Sequence, residues 1–254
     1  MVSQARLVEI FSSIQGESEL IGHRQIFLRF LGCNLRCDYC DTPETLSSSQ
    51  SLPLCRIERT PGCGDFEYRE NPLSLGDVRE AVARLNQVCH HSVALTGGEP
   101  LLQADSIIAL LPALRDLGLR VYLETNGSLP DRLDWVLEGI DIIGMDVKLP
   151  SVAGESAENL LERHQEFLAR ARCKELFVKI VVGDATPDAE LEAAVRMVAE
   201  VDPALPITLQ PVTPRGPAVY PPSGSRLLEM QALAQRHADT VRVIPQTHHL
   251  MGLL

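Results

Sequence analysis

From Leu75 onward, apolar residues fall into two rhythms that take turns. Val78, Ala81, Val82 and Leu85 recur at three- and four-residue spacing, which lays them on one face of a helix over 75–88. The short run Ser92-Val93-Ala94-Leu95-Thr96 then reads as a buried strand, closed by Gly97-Gly98-Glu99-Pro100. The alternation continues with a helix over 104–117, kinked at Pro112, a strand over 119–123, a helix over 131–138 and a strand over 140–147. A helix over 156–172, a strand over 176–182, a helix over 187–200, a strand over 207–209, a helix over 224–237 and a strand over 241–244 complete it. Upstream, a short strand over 6–11 runs into a polar, Gly-containing loop over 12–18, and a second strand covers 25–31. Strands alternating with helices predict a parallel α/β architecture with right-handed crossovers. About six such units predict an open, partial β/α barrel in one domain over 1–254. Residues 43–73 break the rhythm with Pro43, three serines at 47–49, Pro53, Pro61-Gly62, Gly64 and Asn71-Pro72, and they predict a long irregular insertion.

Polar residues gather where the predicted strands end: after 31, at 96–100, 124–127, 146–148 and 210–213. In parallel β/α folds that edge is where ligands sit. The first cluster, Gly32-Cys33-Asn34-Leu35-Arg36-Cys37-Asp38-Tyr39-Cys40-Asp41-Thr42, holds three cysteines at C-x3-C-x2-C spacing. So short a loop aims three thiolates at one point, and soft thiolates select iron–sulfur clusters, zinc or copper(I). A structural zinc wants four ligands, and no C-x2-C or H-x3-H partner lies nearby. Three ligands on a four-iron cluster leave one iron open to a group that is not protein. Arg29, in the middle of an otherwise apolar strand, demands an anionic partner, because a buried unpaired charge is expensive.

Charge narrows the partners. The 254 residues carry a net charge of −11, and lysine occurs only at 148, 174 and 179, which argues against a nucleic-acid polyanion. Aromatic residues are too few for a base-stacking platform, so a small-molecule substrate is expected. No apolar stretch approaches a membrane span, and the first ten residues lack a signal-peptide core, so the expected location is the cytoplasm. Seven cysteines, an odd count, do not describe a disulfide framework there. Cys55 and Cys63 read as reduced, structural thiols rather than a second metal site.

The cysteine loop and Thr96-Gly97-Gly98-Glu99-Pro100 resemble the radical S-adenosylmethionine (SAM) superfamily. Gln15-Gly16-Glu17, Asp41-Thr42 and Gln246-Thr247-His248 resemble, within it, the 7-carboxy-7-deazaguanine synthase family, and with Arg29 and Glu124-Thr125-Asn126-Gly127 the match extends over nearly the whole chain. The 43–73 segment departs from many family members. The resemblance implies a [4Fe–4S] cluster on Cys33, Cys37 and Cys40, with Mg²⁺ on Thr42. It implies SAM held by Tyr39, Asp41, Gly97, Gly98, Glu99, Asp146, Val147, Lys148, Gln210, Pro211, Val212 and Thr213. It places the substrate, 6-carboxytetrahydropterin, against Ile14, Gln15, Gly16, Glu17, Arg29, Thr96, His248 and Leu254. The implied reaction is hydrogen abstraction, radical ring contraction and loss of ammonia, feeding 7-deazapurine (queuosine-type) synthesis. A flavodoxin- or ferredoxin-type donor would supply electrons to a homodimer. The rival readings are another radical SAM enzyme, such as a glycyl-radical activase, and a non-catalytic iron–sulfur or zinc protein. The apolar tail over 250–254 is expected to pack, with Leu254's α-carboxylate reaching the pterin beside His248.

Overall fold

The computed structural model describes residues 4–46, 52–154, 157, 159–214 and 219–253. Among the described residues twelve strands are seen: β1 (Gln4–Ala5), β2 (Leu7–Ile14), β3 (Arg24–Phe30), β4 (Leu54–Glu58), β5 (Phe66–Glu70), β6 (Leu73–Ser74), β7 (Ser92–Gly97), β8 (Val121–Thr125), β9 (Ile142–Val147), β10 (Glu175–Val182), β11 (Ile207–Pro211) and β12 (Val241–Val243). The helices are α1 (Leu75–Leu85), α2 (Ala104–Asp116, with Pro112 inside), α3 (Pro130–Val136), α4 (Pro150–Ala153), α5 (Leu161–Ala171), α6 (Asp188–Val201), α7 (Gly224–Ala234) and α8 (Thr247–Met251). The expected helix over 156–172 is α5 alone; residues 155, 156 and 158 lie outside the described residues.

Ten strands form one sheet in the order β12-β11-β10-β9-β8-β7-β3-β2-β4-β5. From β3 to β12 all seven run parallel, which is the open β/α barrel that the alternation predicts. Strand β2 joins antiparallel to β3. The 43–73 segment is a correction. Instead of an irregular insertion, it carries the antiparallel pair β4–β5, and β4 extends the sheet parallel to β2. Its pattern is short because only Cys55, Ile57 and Glu58 of β4 are buried, while every residue of β5 keeps some exposure.

The main core lies between the sheet and the helices. Strands buried on both faces feed it every second residue: Ile26, Leu28 and Phe30; Val93 and Leu95; Val121 and Leu123; Ile143, Met145 and Val147; Val178 and Ile180. Helix α1 turns Val78, Ala81, Val82 and Leu85 onto it, as its spacing requires. Ser74 caps that helix by accepting from Asp77 N, and the Asp77 carboxylate accepts from Ser74 N in return.

Candidate active site

The site follows from the same two-residue period read on the other face. Phe27, Ala94, Tyr122, Ile142 and Phe177 turn into the barrel and, with Phe11 and Leu20, form an apolar floor. Phe11 stacks on Phe27 with ring centroids 5.0 Å apart, and Tyr122 meets Phe177 at 5.8 Å. Two residues nearer the carboxyl ends, that face presents Arg29, Thr96, Glu124, Gly144 and Lys179, with Asp146 and Gln210 alongside. Glycine is needed at 144, since a Cβ there would sit 2.4 Å from Tyr122 Oη and 2.8 Å from the Phe177 ring. All of these polar residues line one cavity at the carboxyl edge of the sheet.

The cysteine loop forms the cavity's rim. Cys33, Cys37 and Cys40 line it as free thiols. Burial pushes the Cys33 thiol up to about 11 and raises Cys37, so both are protonated in the metal-free chain and metal must displace those protons. A tetrahedral zinc with Zn–S bonds of about 2.3 Å would draw its sulfurs to within about 4 Å of one another. Among the described residues, the metal-ligating set gathered within 4.8 Å is Asp41, His248 and His249, not the three cysteines. Three soft thiols lining one cavity are the donor set that a multi-iron cluster takes.

The loop rests on the turn after β7. Gly98 N donates to Phe30 O at 3.2 Å, and Glu99 N donates to Gly32 O at 2.8 Å. A Cβ on Gly98 would sit 2.1 Å from Gly32 O, and Gly97 has φ +127° with Phe30 O 2.4 Å from its Cβ position. Expected to admit a cofactor, Gly98 is also required by the close approach of the cysteine loop, and Gly97 by that of the end of β3. Glu99 turns away from the cavity and is fully buried. Its carboxylate accepts from Leu101 N (3.0 Å), Thr125 Oγ1 (2.9 Å) and Asn126 N (2.8 Å), which ties this turn to the one after β8. Across the rim, Lys148 Nζ donates to Asp146 Oδ2 (2.6 Å) and Tyr39 Oη (3.0 Å). Burial disfavours that ammonium, but Asp146 outweighs it, and Lys148 stays a cation.

Two distant parts of the chain close the opposite wall. Gln15 Nε2 donates to Glu124 Oε1 at 2.6 Å and to Gln25 Oε1 at 3.2 Å. Glu17 pairs with Lys179, whose ammonium also lies 3.2 Å from Asp146 Oδ2. Burial of Glu17 opposes ionisation, yet Lys179 holds its carboxyl down at about 2. Glu124 goes the other way: burial and the Glu17 charge raise it. Gln246, just before α8, donates to Glu17 Oε1 (2.6 Å) and Asp41 Oδ2 (3.0 Å) and accepts from Thr213 Oγ1. Thr247 N donates to Gly16 O at 2.9 Å, seating α8 on the loop after β2.

Of the expected site residues, Ile14, Gln15, Gly16, Glu17, Arg29, Cys33, Cys37, Tyr39, Cys40, Asp41, Thr42, Thr96, Gly97, Gly98, Asp146, Lys148, Gln210, Val212, Thr213 and His248 share the cavity lining. Glu99, Val147 and Pro211 do not: Glu99 braces the turn from beneath, Val147 packs in the main core, and Pro211 ends β11. Leu254 lies outside the described residues. The expected packing of the tail is corrected: Leu250 is 80% exposed and Met251 47% exposed. Arg29 finds its anion within the protein, donating from Nε to Glu9 Oε1 at 2.6 Å, while Glu9 Oε2 accepts from Arg56 Nε at 2.5 Å. Sequence reasoning missed Lys179, although it interrupts an apolar strand as Arg29 does. It also left Glu124 and Gln246 without roles, and the inward period through Tyr122 points to Glu124.

The chain matches the description of the Radical SAM superfamily over residues 28–198. It is 47% identical to a 7-carboxy-7-deazaguanine synthase of Geobacter sulfurreducens over 98% of each chain. It is 37% identical to one from Methanopyrus kandleri over 97% of this chain and 93% of that one. Among solved structures, QueE from Escherichia coli superposes with a TM-score of 0.59 at 22% identity, over 96% of this chain and 95% of that one. SuiB of Streptococcus suis bound to S-adenosylmethionine gives 0.55 at 15% identity, over 87% of this chain and 49% of that one. At those identities the two structures speak for the fold.

Proposed function

The chain belongs to the radical SAM superfamily and, within it, to the 7-carboxy-7-deazaguanine synthase family, and we propose that it converts 6-carboxytetrahydropterin to 7-carboxy-7-deazaguanine with loss of ammonia. One observation carries this reading: three free thiols share a cavity with the half-buried carboxylates Glu17 and Glu124. Cys33, Cys37 and Cys40 hold a [4Fe–4S] cluster that, with SAM, supplies hydrogen-atom abstraction from the substrate. Gly97, Gly98, Tyr39, Asp41, Asp146, Lys148, Gln210, Val212 and Thr213 line the side toward SAM. Lys148 is the cation on that side, fixed by Asp146, and it suits a carboxylate.

Gln15, Glu17 and Glu124 form the edge that reads the pterin, since carboxylates and amides accept from amino-pyrimidine N–H groups in pairs. Ile14, Gly16, Thr96, Arg29 and His248 complete that pocket. Arg29 enters it with Nε already spent on Glu9, so its orientation is fixed before substrate arrives. Thr42 offers a hard oxygen beside Asp41, which fits Mg²⁺ with a substrate carboxylate and waters. Its carbonyl accepts from Thr45 N (2.9 Å) and Oγ1 (2.7 Å), which steadies the loop. Exposed Leu250, Met251 and Leu253 support a homodimer, and reduction of the cluster calls for a flavodoxin- or ferredoxin-type donor in a reducing cytoplasm.

The test is an anaerobic assay of reconstituted protein with 6-carboxytetrahydropterin, SAM, a reductant and Mg²⁺. Product should form, should slow when Mg²⁺ is withheld, and should lose that dependence in Thr42→Ala. SAM cleavage without 7-carboxy-7-deazaguanine would reject the substrate assignment.

A further inference from the structure

One side chain behind the cysteine loop is held more tightly than packing needs. Asn126 follows β8 and is 5% exposed. Its backbone N–H donates to Glu99 Oε2 at 2.8 Å, and its carbonyl accepts from His164 Nε2 at 3.0 Å. His164 is fully buried, and burial holds its imidazole down at about 4. It is therefore neutral, with the proton on Nε2, because a carbonyl can only accept.

The side-chain amide is held as firmly. Asn126 Oδ1 accepts from Ser128 N at 3.0 Å and from Ser128 Oγ. A backbone N–H can only donate, so the oxygen is fixed on that side and the NH₂ group must face the other way. It faces Asn34 Oδ1 at 3.1 Å and Cys33 Sγ at 4.0 Å, the outer reach of a hydrogen bond to sulfur. Asn34 in turn donates to Ser128 Oγ at 2.8 Å, which closes the ring. Each polar group of Asn126 is thus used, and the one facing the cysteine loop is a donor.

We infer that Asn126, a positioning residue, donates an N–H···S hydrogen bond to the Cys33 thiolate and thereby raises the reduction potential of the cluster. This rests on the reading of Cys33 as a cluster ligand. A thiolate accepts more strongly than the thiol it replaces, so the contact tightens when the ligand ionises. Reduction adds a negative charge to the cluster. A donor aimed at a ligand sulfur therefore stabilises the reduced form more than the oxidised one, and hydrogen bonds to the sulfurs are among the determinants of such potentials.

The test is a potentiometric titration, followed by electron paramagnetic resonance, of anaerobically reconstituted protein without SAM. Asn126→Leu removes the donor at nearly constant volume. At a fixed applied potential it should lower the reduced-to-oxidised ratio about tenfold, equivalent to about 59 mV for a one-electron couple. Asn34→Ala, which leaves the Asn126 amide on Cys33, should keep the wild-type ratio within about threefold. Should Asn126→Leu fail to hold a cluster, Asn126→Ala serves instead: it also removes the donor facing Cys33 and should lower the ratio about tenfold. A wild-type ratio in the donor-free variants overturns the inference. So does an equal fall in Asn34→Ala, which would reduce Asn126 to loop packing. Wild-type protein that takes up iron equally well as Cys33→Ala would instead overturn the ligand assignment.

Discussion

Glu17 and Glu99 are both withdrawn from water, and their partners send them in opposite directions. Burial disfavours the charge on each. Glu17 faces the Lys179 ammonium and is held at about 2. Glu99 receives neutral donors from Leu101, Thr125 and Asn126, burial prevails, and its carboxyl rises from 4.5 to about 7. Linkage then gives opposite signs. Glu17, with a depressed folded value, stabilises the fold above about 4.5 and loses that contribution as pH falls toward 2. Glu99, with a raised value, contributes stability that is complete below about 4.5 and is lost as pH rises through about 7. A shift of that size amounts to about 3 kcal/mol at most. In metal-free protein, the stability advantage of wild type over Glu99→Gln should therefore shrink between pH 5 and pH 8. Thermal melts of both proteins across that range check it, and a constant gap would mean that Glu99 does not titrate there.

At the scale of elements, β4 shows what the chain's pattern hides. Cys55 is fully buried in the main core, and Cys63 is an exposed turn residue between the two strands of the hairpin. Cys55→Ser should cost about 1–3 kcal/mol, because it buries a hydroxyl among apolar side chains, and should leave iron content unchanged. Cys63→Ser should alter neither; thermal melts with iron quantification decide, and lost iron in either variant would reveal a second metal site. The hairpin escaped the sequence because its strands are five residues each, and β5 is nowhere fully buried, so alternation has little to register. The parallel strands from β3 to β11 were legible for the converse reason: they are largely buried on both faces and bounded by amphipathic helices. Within them the cavity's polar layer was legible only in part. Arg29 announces itself as a charge in an apolar run, and Lys179 sits in β10 in the same way. Glu124 lies at a strand end, where polar residues are ordinary, and only its register with Thr96 and Gly144 brings it to the cavity. The Glu9–Arg29 pair joins β2 to β3, and an antiparallel neighbour could not be read from an alternation that implies parallel pairing.

At the scale of the whole molecule, the cavity is shut by segments more than two hundred residues apart. Gly16 follows β2, and α8 follows β12 at the far end of the sheet order. The contact between them is close because Gly16 has no side chain: a Cβ there would sit 2.3 Å from His248 Nδ1 and 2.6 Å from His248 N. The second of those atoms is backbone, so the helix as a unit would have to move. Displacing it would break the bond from Thr247 N to Gly16 O and pull Gln246 off Glu17 and Asp41. The core and the turn after β7 take no part in that contact, and the cysteine loop meets it only through Asp41, outside the three cysteines. Gly16→Ala should therefore leave the melting temperature and iron content near wild type while raising KM for 6-carboxytetrahydropterin at least about tenfold, the loss of one or two hydrogen bonds at the pterin edge. Amide exchange should quicken across 246–253 and stay unchanged in β7 to β10. An unaltered KM together with unaltered exchange in α8 would show that the helix covers the cavity without shaping it.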